Sequence, residues 1–478
     1  MTEIIIGKLG EIALKSRKVR KRFEERLIAN IDDALQRAGI YDYEVKKLRG
    51  RIIIETGTTE KVLKILRKVF GLNQLERALK FQFQNLDEIL EKGEEIFKDQ
   101  VKGRKFAVRV KRTGSHPFKS IDVERALGGR LYQYSSGVDL TNPDVKVEVE
   151  IVDNTAFFIV EKISGAGGLP VGIEGKILLL FSGGFDSTVS YYLLLKRGLE
   201  VDLVSFLFAG EPQLRSIFRI AKFVSDRYAN GYDPVLYTVD FTPVTADIRK
   251  NIKESYRNII LKRHMIRAAD ILAREKGIIA IATGDSIGQV ASQTYDNLVV
   301  SSLATELPII RPVVAFDKQE IVDLARKIEV YDLVSSMKEY CQITPRHPVT
   351  RATEEAVERQ EDGINIEILP ELISKRKTFY PTRVDDIEIL DFQIELDKIP
   401  ENAVIFDIRD KIDFEKWHFE SAINIDEFEL LAKIDELDSK RVYVVACYRG
   451  ARSLNIVNEM RKKGLKAYSL KGGVEAYK

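Results

Sequence analysis

The feature that most restricts the fold begins at Lys176, where apolar segments start to alternate with helix-forming ones. The apolar segments are Ile177 to Phe181, Val201 to Phe208, Val235 to Val239 and Ile278 to Thr283. Strands this largely apolar, separated by helical stretches, predict a parallel sheet covered on both faces, a doubly wound domain. The first strand runs straight into Ser182-Gly183-Gly184-Phe185-Asp186-Ser187-Thr188 and then the apolar helix Val189 to Leu195. Adjacent glycines reach φ values closed to other residues, so successive N–H groups can curl around an anion at the positive end of a helix. Ser182, Ser187 and Thr188 add hydroxyl donors. The string points to a phosphate site, and without a following Gly-Lys-Ser/Thr it is not the Walker type.

Two further segments point to the same place. Ala282-Thr283-Gly284-Asp285-Ser286-Ile287-Gly288-Gln289-Val290-Ala291-Ser292-Gln293-Thr294 follows an apolar strand, at the edge where open α/β sheets bind ligands. In Phe316-Asp317-Lys318-Gln319-Glu320, Asp317 and Glu320 form a predicted capping box with Lys318 in the first helical turn. A cation there opposes the helix dipole at a cost of about 0.3–1 kcal/mol. An anionic ligand would remove that cost, and a solvated, tolerated lysine is the other reading.

Near the C-terminus, the strand Arg441 to Ala446 ends in Cys447-Tyr448-Arg449-Gly450-Ala451-Arg452-Ser453, followed by a helix from Leu454 to Lys463. A cysteine at a strand end, before a helix N-terminus and flanked by Arg449 and Arg452, is placed to be a thiolate and to carry a stabilised persulfide. Cys341 is the second of only two cysteines, which rules out a disulfide framework or a four-thiolate metal site. The four histidines lack metal-ligand spacing, so no structural metal is expected.

The 478 residues exceed what one core serves and predict an α/β multidomain chain. Residues 1–57 and 58–167 read as two α+β units, 172–348 as the doubly wound domain, 349–386 as a charged linker and 387–478 as a last α/β unit. No segment has the length and apolarity of a membrane span or the pattern of a secretory signal, so a cytoplasmic protein with no membrane partner is expected. Net charge is +2, but residues 1–170 carry 32 Lys and Arg against 25 Asp and Glu. The imbalance suggests that this third meets a polyanion. The cluster at 15–22 and the group Arg104, Lys105, Arg109, Lys111 and Arg112 fit phosphate contacts, or are simply solvated faces. If that polyanion is a nucleic acid, the scarcity of aromatic residues among these cations suggests recognition of its shape rather than base stacking.

The loop at Ser182 resembles the pyrophosphate loop of enzymes that split ATP into AMP and pyrophosphate. The Cys447 segment, with Phe406-Asp407-Ile408-Arg409, His418 to Ile425 and Leu470 to Tyr477, resembles a rhodanese domain, departing at Glu420-Ser421. Together with Lys8 to Lys15 and Glu339-Tyr340-Cys341-Gln342-Ile343, these motifs resemble the tRNA 4-thiouridine synthetase family in its rhodanese-bearing form. The resemblance implies a ferredoxin-like unit, a THUMP RNA-binding domain, a pyrophosphate-loop domain and a rhodanese-like domain in that order. It places ATP contacts on Leu180, Phe181, Lys262, Gly284 and Gln293, beside the phosphate-binding loop residues Ser182, Gly183, Gly184 and Ser187, with activation roles on Asp186 and Lys318. It implies 4-thiouridine formation at tRNA position 8, with a Cys447 persulfide loaded by a cysteine desulfurase and Cys341 resolving as a Cys341–Cys447 disulfide. ATP with Mg²⁺ is expected, and no iron–sulfur cluster, since the chain has no Cys-x-x-Cys. A ThiS-like sulfur carrier protein is a second expected acceptor, and a homodimer is compatible with the reading. The competing readings are an ATP-independent sulfur carrier for thiamine thiazole and a tRNA-binding module without catalysis.

Overall fold

The computed structural model describes residues 1–48, 50–208, 211–337, 347–383, 394–448 and 450–477, apart from the side chains of 211, 451, 455 and 462. The two N-terminal α+β units share one eight-stranded sheet. Its order is Tyr43–Leu48, Arg51–Thr56, Thr2–Leu9, Leu72–Gln82, Thr155–Ser164, Val145–Val152, Lys105–Thr113, Gly137–Val138. The join is Leu72–Gln82, which pairs antiparallel with Thr2–Leu9 on one side and Thr155–Ser164 on the other. The sequence predicts only Ala78 to Phe83 as strand here. The strand extends back to Leu72 because Leu72, Leu75 and Ala78 are buried in the sheet.

The doubly wound domain follows, as its apolar strands predict. Its sheet runs Ile309–Ile310, Ile281–Ala282, Lys176–Leu180, Glu200–Leu207, Leu236–Asp240, Lys377–Phe379. All pairings are parallel except that of Lys377–Phe379, which adds antiparallel at the edge. Successive side chains of a strand face opposite ways. Ile177, Leu179 and Phe181 therefore enter the core under the helices Phe185–Lys196 and Glu211–Tyr228, while Leu178 and Leu180 enter the core under Arg257–Glu275. The expected strand Ile278 to Thr283 is reduced to Ile281–Ala282.

The charged stretch after 349 packs on this domain through the helices Glu354–Glu361 and Ile368–Ser374. Val357, Leu369 and Ile373 are buried in the second core. Glu361, 6% exposed, is gripped by Arg263 at 2.8 Å and Arg267 at 2.6 Å. The C-terminal unit is a five-stranded parallel sheet in the order Glu395–Leu396, Lys466–Leu470, Val442–Ala446, Val404–Asp407, Ile423–Asn424. No helix among the described residues is long and apolar enough to cross a membrane.

Candidate active site

Two chemical centres lie at the carboxyl ends of parallel strands, one in each α/β domain. In the first, the strand Lys176–Leu180 is buried on both faces, so the chain leaves it only at its end, through Phe181 to Gly184, before the helix Phe185–Lys196. Leu180 and Phe181 are themselves buried, and the Phe181 carbonyl accepts from Ser205 Oγ, which pins the start of the loop. Hydroxyls hold its shape. Ser182 Oγ lies 3.1 Å from Ser187 Oγ and accepts from Gly184 N–H, while Thr188 Oγ1 donates to the Gly183 carbonyl at 3.3 Å.

Gly284 backs the loop. A Cβ there would lie 2.7 Å from Ser187 N, so the Thr283–Ser286 turn can press against the loop only because the residue is glycine. Ser286 Oγ donates to the Phe316 carbonyl at 2.6 Å and Ile287 N–H to Val314, which ties the 284–293 loop to the segment carrying Lys318. Gln293 Oε1 accepts from Ser286 N–H, closing that loop on itself. The predicted capping box exists: Glu320 N–H donates to Asp317 Oδ1 at 2.8 Å and Asp317 N–H to Glu320 Oε2 at 2.9 Å. From that first turn Lys318 Nζ reaches Asp186, at 3.0 Å from Oδ1. The first-turn cation thus meets a carboxylate 132 residues away in sequence.

Lys262 is paired with Asp285, a carboxylate 2% exposed that also accepts from Thr283 Oγ1 at 2.7 Å and faces Arg311 at 3.4 Å. Burial by itself would raise the pKa of Asp285. The charge and hydrogen bond of Lys262, with help from Thr283 and Arg311, outweigh it and hold the carboxyl below its usual value. The sequence reading assigns no site role to Asp285, Arg311 or Gln289. Each acts through a partner distant in the chain, and only the density of polar groups in residues 283–294 hinted at them.

The second centre is Cys447, 3% exposed. Its Sγ accepts from Gly450 N–H at 3.1 Å and Ser453 N–H at 3.5 Å and lies 3.3 Å from Ser453 Oγ, which in turn is 2.8 Å from Ser469 Oγ. Gly450 sits at φ +83°, and a Cβ there would approach the backbone of Leu470 and Gly472 within 3.4 Å. The terminal segment braces the loop from behind: Val474 N–H donates to the Cys447 carbonyl and Glu475 N–H to that of Tyr448. Arg452, exposed at the start of the helix, binds Glu427 at 2.8 Å. Arg449 and Cys341 lie outside the described residues. Ser453 and Ser469 are members of this site that the sequence reading passed over.

Among the cations expected to meet RNA, Arg104, Lys105, Arg109 and Lys111 are exposed, on or just before the strand Lys105–Thr113. Arg109 Nη2 donates to the Leu140 carbonyl and Arg112 Nη1 to that of Gly114. Tyr132 and Tyr134 are 61% and 36% exposed, and Gly103 N–H bonds to the Tyr134 carbonyl at 3.0 Å. The backbone at Tyr134 therefore runs beside that at Arg104, while the Tyr134 hydroxyl donates to Glu94 at 3.0 Å.

Family profiles match the chain in this order: "ThiI ferredoxin-like domain" at residues 4–75, "THUMP domain" at 83–161, "Thiamine biosynthesis protein (ThiI)" at 172–366 and "Rhodanese-like domain" at 393–478. Fold and site together define a sulfurtransferase in which a pyrophosphate-loop domain and a rhodanese-like domain follow ferredoxin-like and THUMP units. The tRNA sulfurtransferase of Desulfurococcus amylolyticus is 36% identical over 481 residues, covering 100% of this chain and 98% of its own length. That of Pyrobaculum aerophilum is 35% identical over 472 residues, covering 98% and 96%. Among solved structures, a 4-thiouridine synthetase–RNA complex with bound ATP aligns at a TM-score of 0.71 and 29% identity, covering 79% of this chain and 99% of that one. The chain belongs to the tRNA sulfurtransferase family.

Proposed function

We propose that this protein is an ATP-dependent tRNA sulfurtransferase that forms 4-thiouridine at tRNA position 8 in the cytoplasm. The observation that carries the reading is the convergence of Asp186 and Lys318 at the glycine loop, in a chain that also holds a thiol in a cradle of N–H groups. The names of the tRNA sulfurtransferase relatives and the RNA and ATP of the aligned complex support it.

In this reading Ser182, Gly183, Gly184 and Ser187 cradle the polyphosphate, and Leu180, Phe181, Lys262, Gly284 and Gln293 hold the rest of the nucleotide. Uridine O4 attacks the α-phosphorus, the bond to the β-phosphate oxygen breaks, and pyrophosphate leaves with its electron pair while the N3 proton is lost. Lys318 offsets charge on the departing group. Among the described residues no cluster of three metal-ligating side chains occurs. Mg²⁺ is commonly held by one or two carboxylates plus phosphates, and Asp186 is the carboxylate that fits, so a bound Mg²⁺ would neutralise phosphate charge there.

The terminal sulfur of the Cys447 persulfide then attacks C4 and AMP leaves. Cys341 thiolate attacks Cys447 Sγ, which releases the thiolated base and forms the Cys341–Cys447 disulfide. An external dithiol returns two electrons to reopen it. Two easier substitutions replace a difficult one. A cysteine desulfurase supplies the persulfide sulfur, and a ThiS-like carrier protein is a second outlet, supported by the description of the matched 172–366 profile.

The test is reconstitution with ATP, Mg²⁺, cysteine, a desulfurase, a dithiol reductant and unmodified tRNA. Wild type is expected to give 4-thiouridine and AMP over many turnovers, and Cys447→Ala and Cys341→Ala to lose turnover. Product undiminished in Cys447→Ala would overturn the sulfur route.

A further inference from the structure

Gln289 is not needed for any step above, yet its side chain ends in the middle of the first centre. Nε2 donates to Asp186 Oδ2 at 2.9 Å, on the carboxylate that also takes Lys318. A carboxylate accepts and does not donate, so it fixes the amide with its NH₂ toward Asp186 and its oxygen turned away. That oxygen, Oε1, is buried and has no hydrogen-bond partner among the described residues. The neighbours Ile287, Gly288 and Val290 are exposed, so the acceptor lies just beneath the surface rather than in the core. An acceptor withdrawn from water and given no donor is unfavourable, and active sites are where such groups are retained for a ligand.

We propose that Gln289 is a specificity-determining residue that recognises the substrate base through its N3–H, with Oε1 as the acceptor. The inference rests on the proposed adenylation chemistry. A base whose O4 attacks a phosphorus atom beside Asp186 brings its N3 edge next to that carboxylate's neighbours. Uracil carries a hydrogen on N3, whereas cytosine presents a lone pair there that an amide oxygen repels. As the O4–phosphorus bond forms, positive charge builds on the ring and N3–H becomes more acidic. The bond to Oε1 therefore strengthens toward the transition state, before the proton passes to water. Gln289 accepts a hydrogen bond and takes no proton, and its amide orientation is set in advance by Asp186 and Lys318.

The experiment is a cycle between residue and base, read as single-turnover pyrophosphate release by the full chain. Wild type and Gln289→Met are each given tRNA carrying uridine or 3-deazauridine, which keeps O4 but has C–H at position 3. The expected result is a loss of about tenfold in Gln289→Met with uridine and little further loss with 3-deazauridine. The affinities of both proteins for tRNA carrying uridine or cytidine at the same position give a second reading. Wild type should prefer uridine and the variant should lose that preference. Equal loss on both bases, with the preference for uridine intact, would mean that Gln289 only holds Asp186 and would overturn the proposal. If wild type released no pyrophosphate with either tRNA, the adenylation reading itself would fail.

Discussion

Replacing Asp285 with Asn keeps the shape of the side chain and an acceptor for Thr283, but removes the charge that Lys262 and Arg311 share. Asp285 is 3% exposed in its side chain, Lys262 16% and Arg311 15%, so the two cations are left poorly solvated with no anion. Breaking a buried pair from one side costs about 3–5 kcal/mol. The partial exposure of the cations lowers that to about 2–4 kcal/mol. For a domain of this size the loss corresponds to a fall of about 6–12 °C in the doubly wound domain's transition at pH 7. The pH dependence has a definite sign. A carboxyl held below its unfolded value stabilises the fold above that value, near pH 4, and loses its contribution as the pH falls through the lower folded value. The gap between wild type and Asp285→Asn should be constant from pH 7 to about 5 and close below about pH 4. Scanning calorimetry at a series of pH values reads both effects. Equal transitions at pH 7, or a gap unchanged between pH 7 and 3.5, would refute the argument.

Three further outcomes follow from the same geometry. Lys318→Ala removes the ammonium 3.0 Å from Asp186 and should slow single-turnover pyrophosphate release about 10²–10³-fold, with ATP affinity changed far less; an undiminished rate would exclude Lys318 from the step. Ser453→Ala keeps the backbone N–H at the thiol but deletes the hydroxyl 3.3 Å from Sγ, and should slow persulfide loading about tenfold. Loading at the wild-type rate would show that the N–H groups suffice. Lys111→Ala should weaken tRNA binding and reduce the slope of log affinity against log salt by about 0.7–0.9; an unchanged slope would place Lys111 away from phosphate.

The parts of the fold legible in the sequence are those whose chemistry is consecutive. The loop from Ser182 to Thr188, the Asp317–Glu320 capping box and the Cys447–Ser453 loop each combine strand end, turn and helix start within a few residues, where local rules apply. What was hidden depends on sheet order. Asp285 meets Lys262 and Arg311 only once Ile281–Ala282 lies between its neighbours, and Gln289 meets Asp186 only once the two loops abut. The stretch from 349 reads as a charged tether because its buried members are few and scattered. Val357, Leu369 and Ile373 are nonetheless enough to seat it, and Glu361 is charged yet buried because two arginines wait for it. The eight-stranded sheet was missed as a unit for a similar reason: the strand that joins its halves, Leu72–Gln82, mixes polar and apolar residues and begins directly after a glycine turn.

The central claim is that the doubly wound domain activates the base while Cys447 delivers the sulfur. It is tested most directly by loading Cys447 with one radiolabelled persulfide sulfur, removing every other donor, and adding ATP and tRNA for a single turnover. The account predicts that the label moves into 4-thiouridine, with one AMP and one pyrophosphate formed for each sulfur transferred. Label leaving as free sulfide while the base stays unmodified, or label entering the base without AMP, would contradict it.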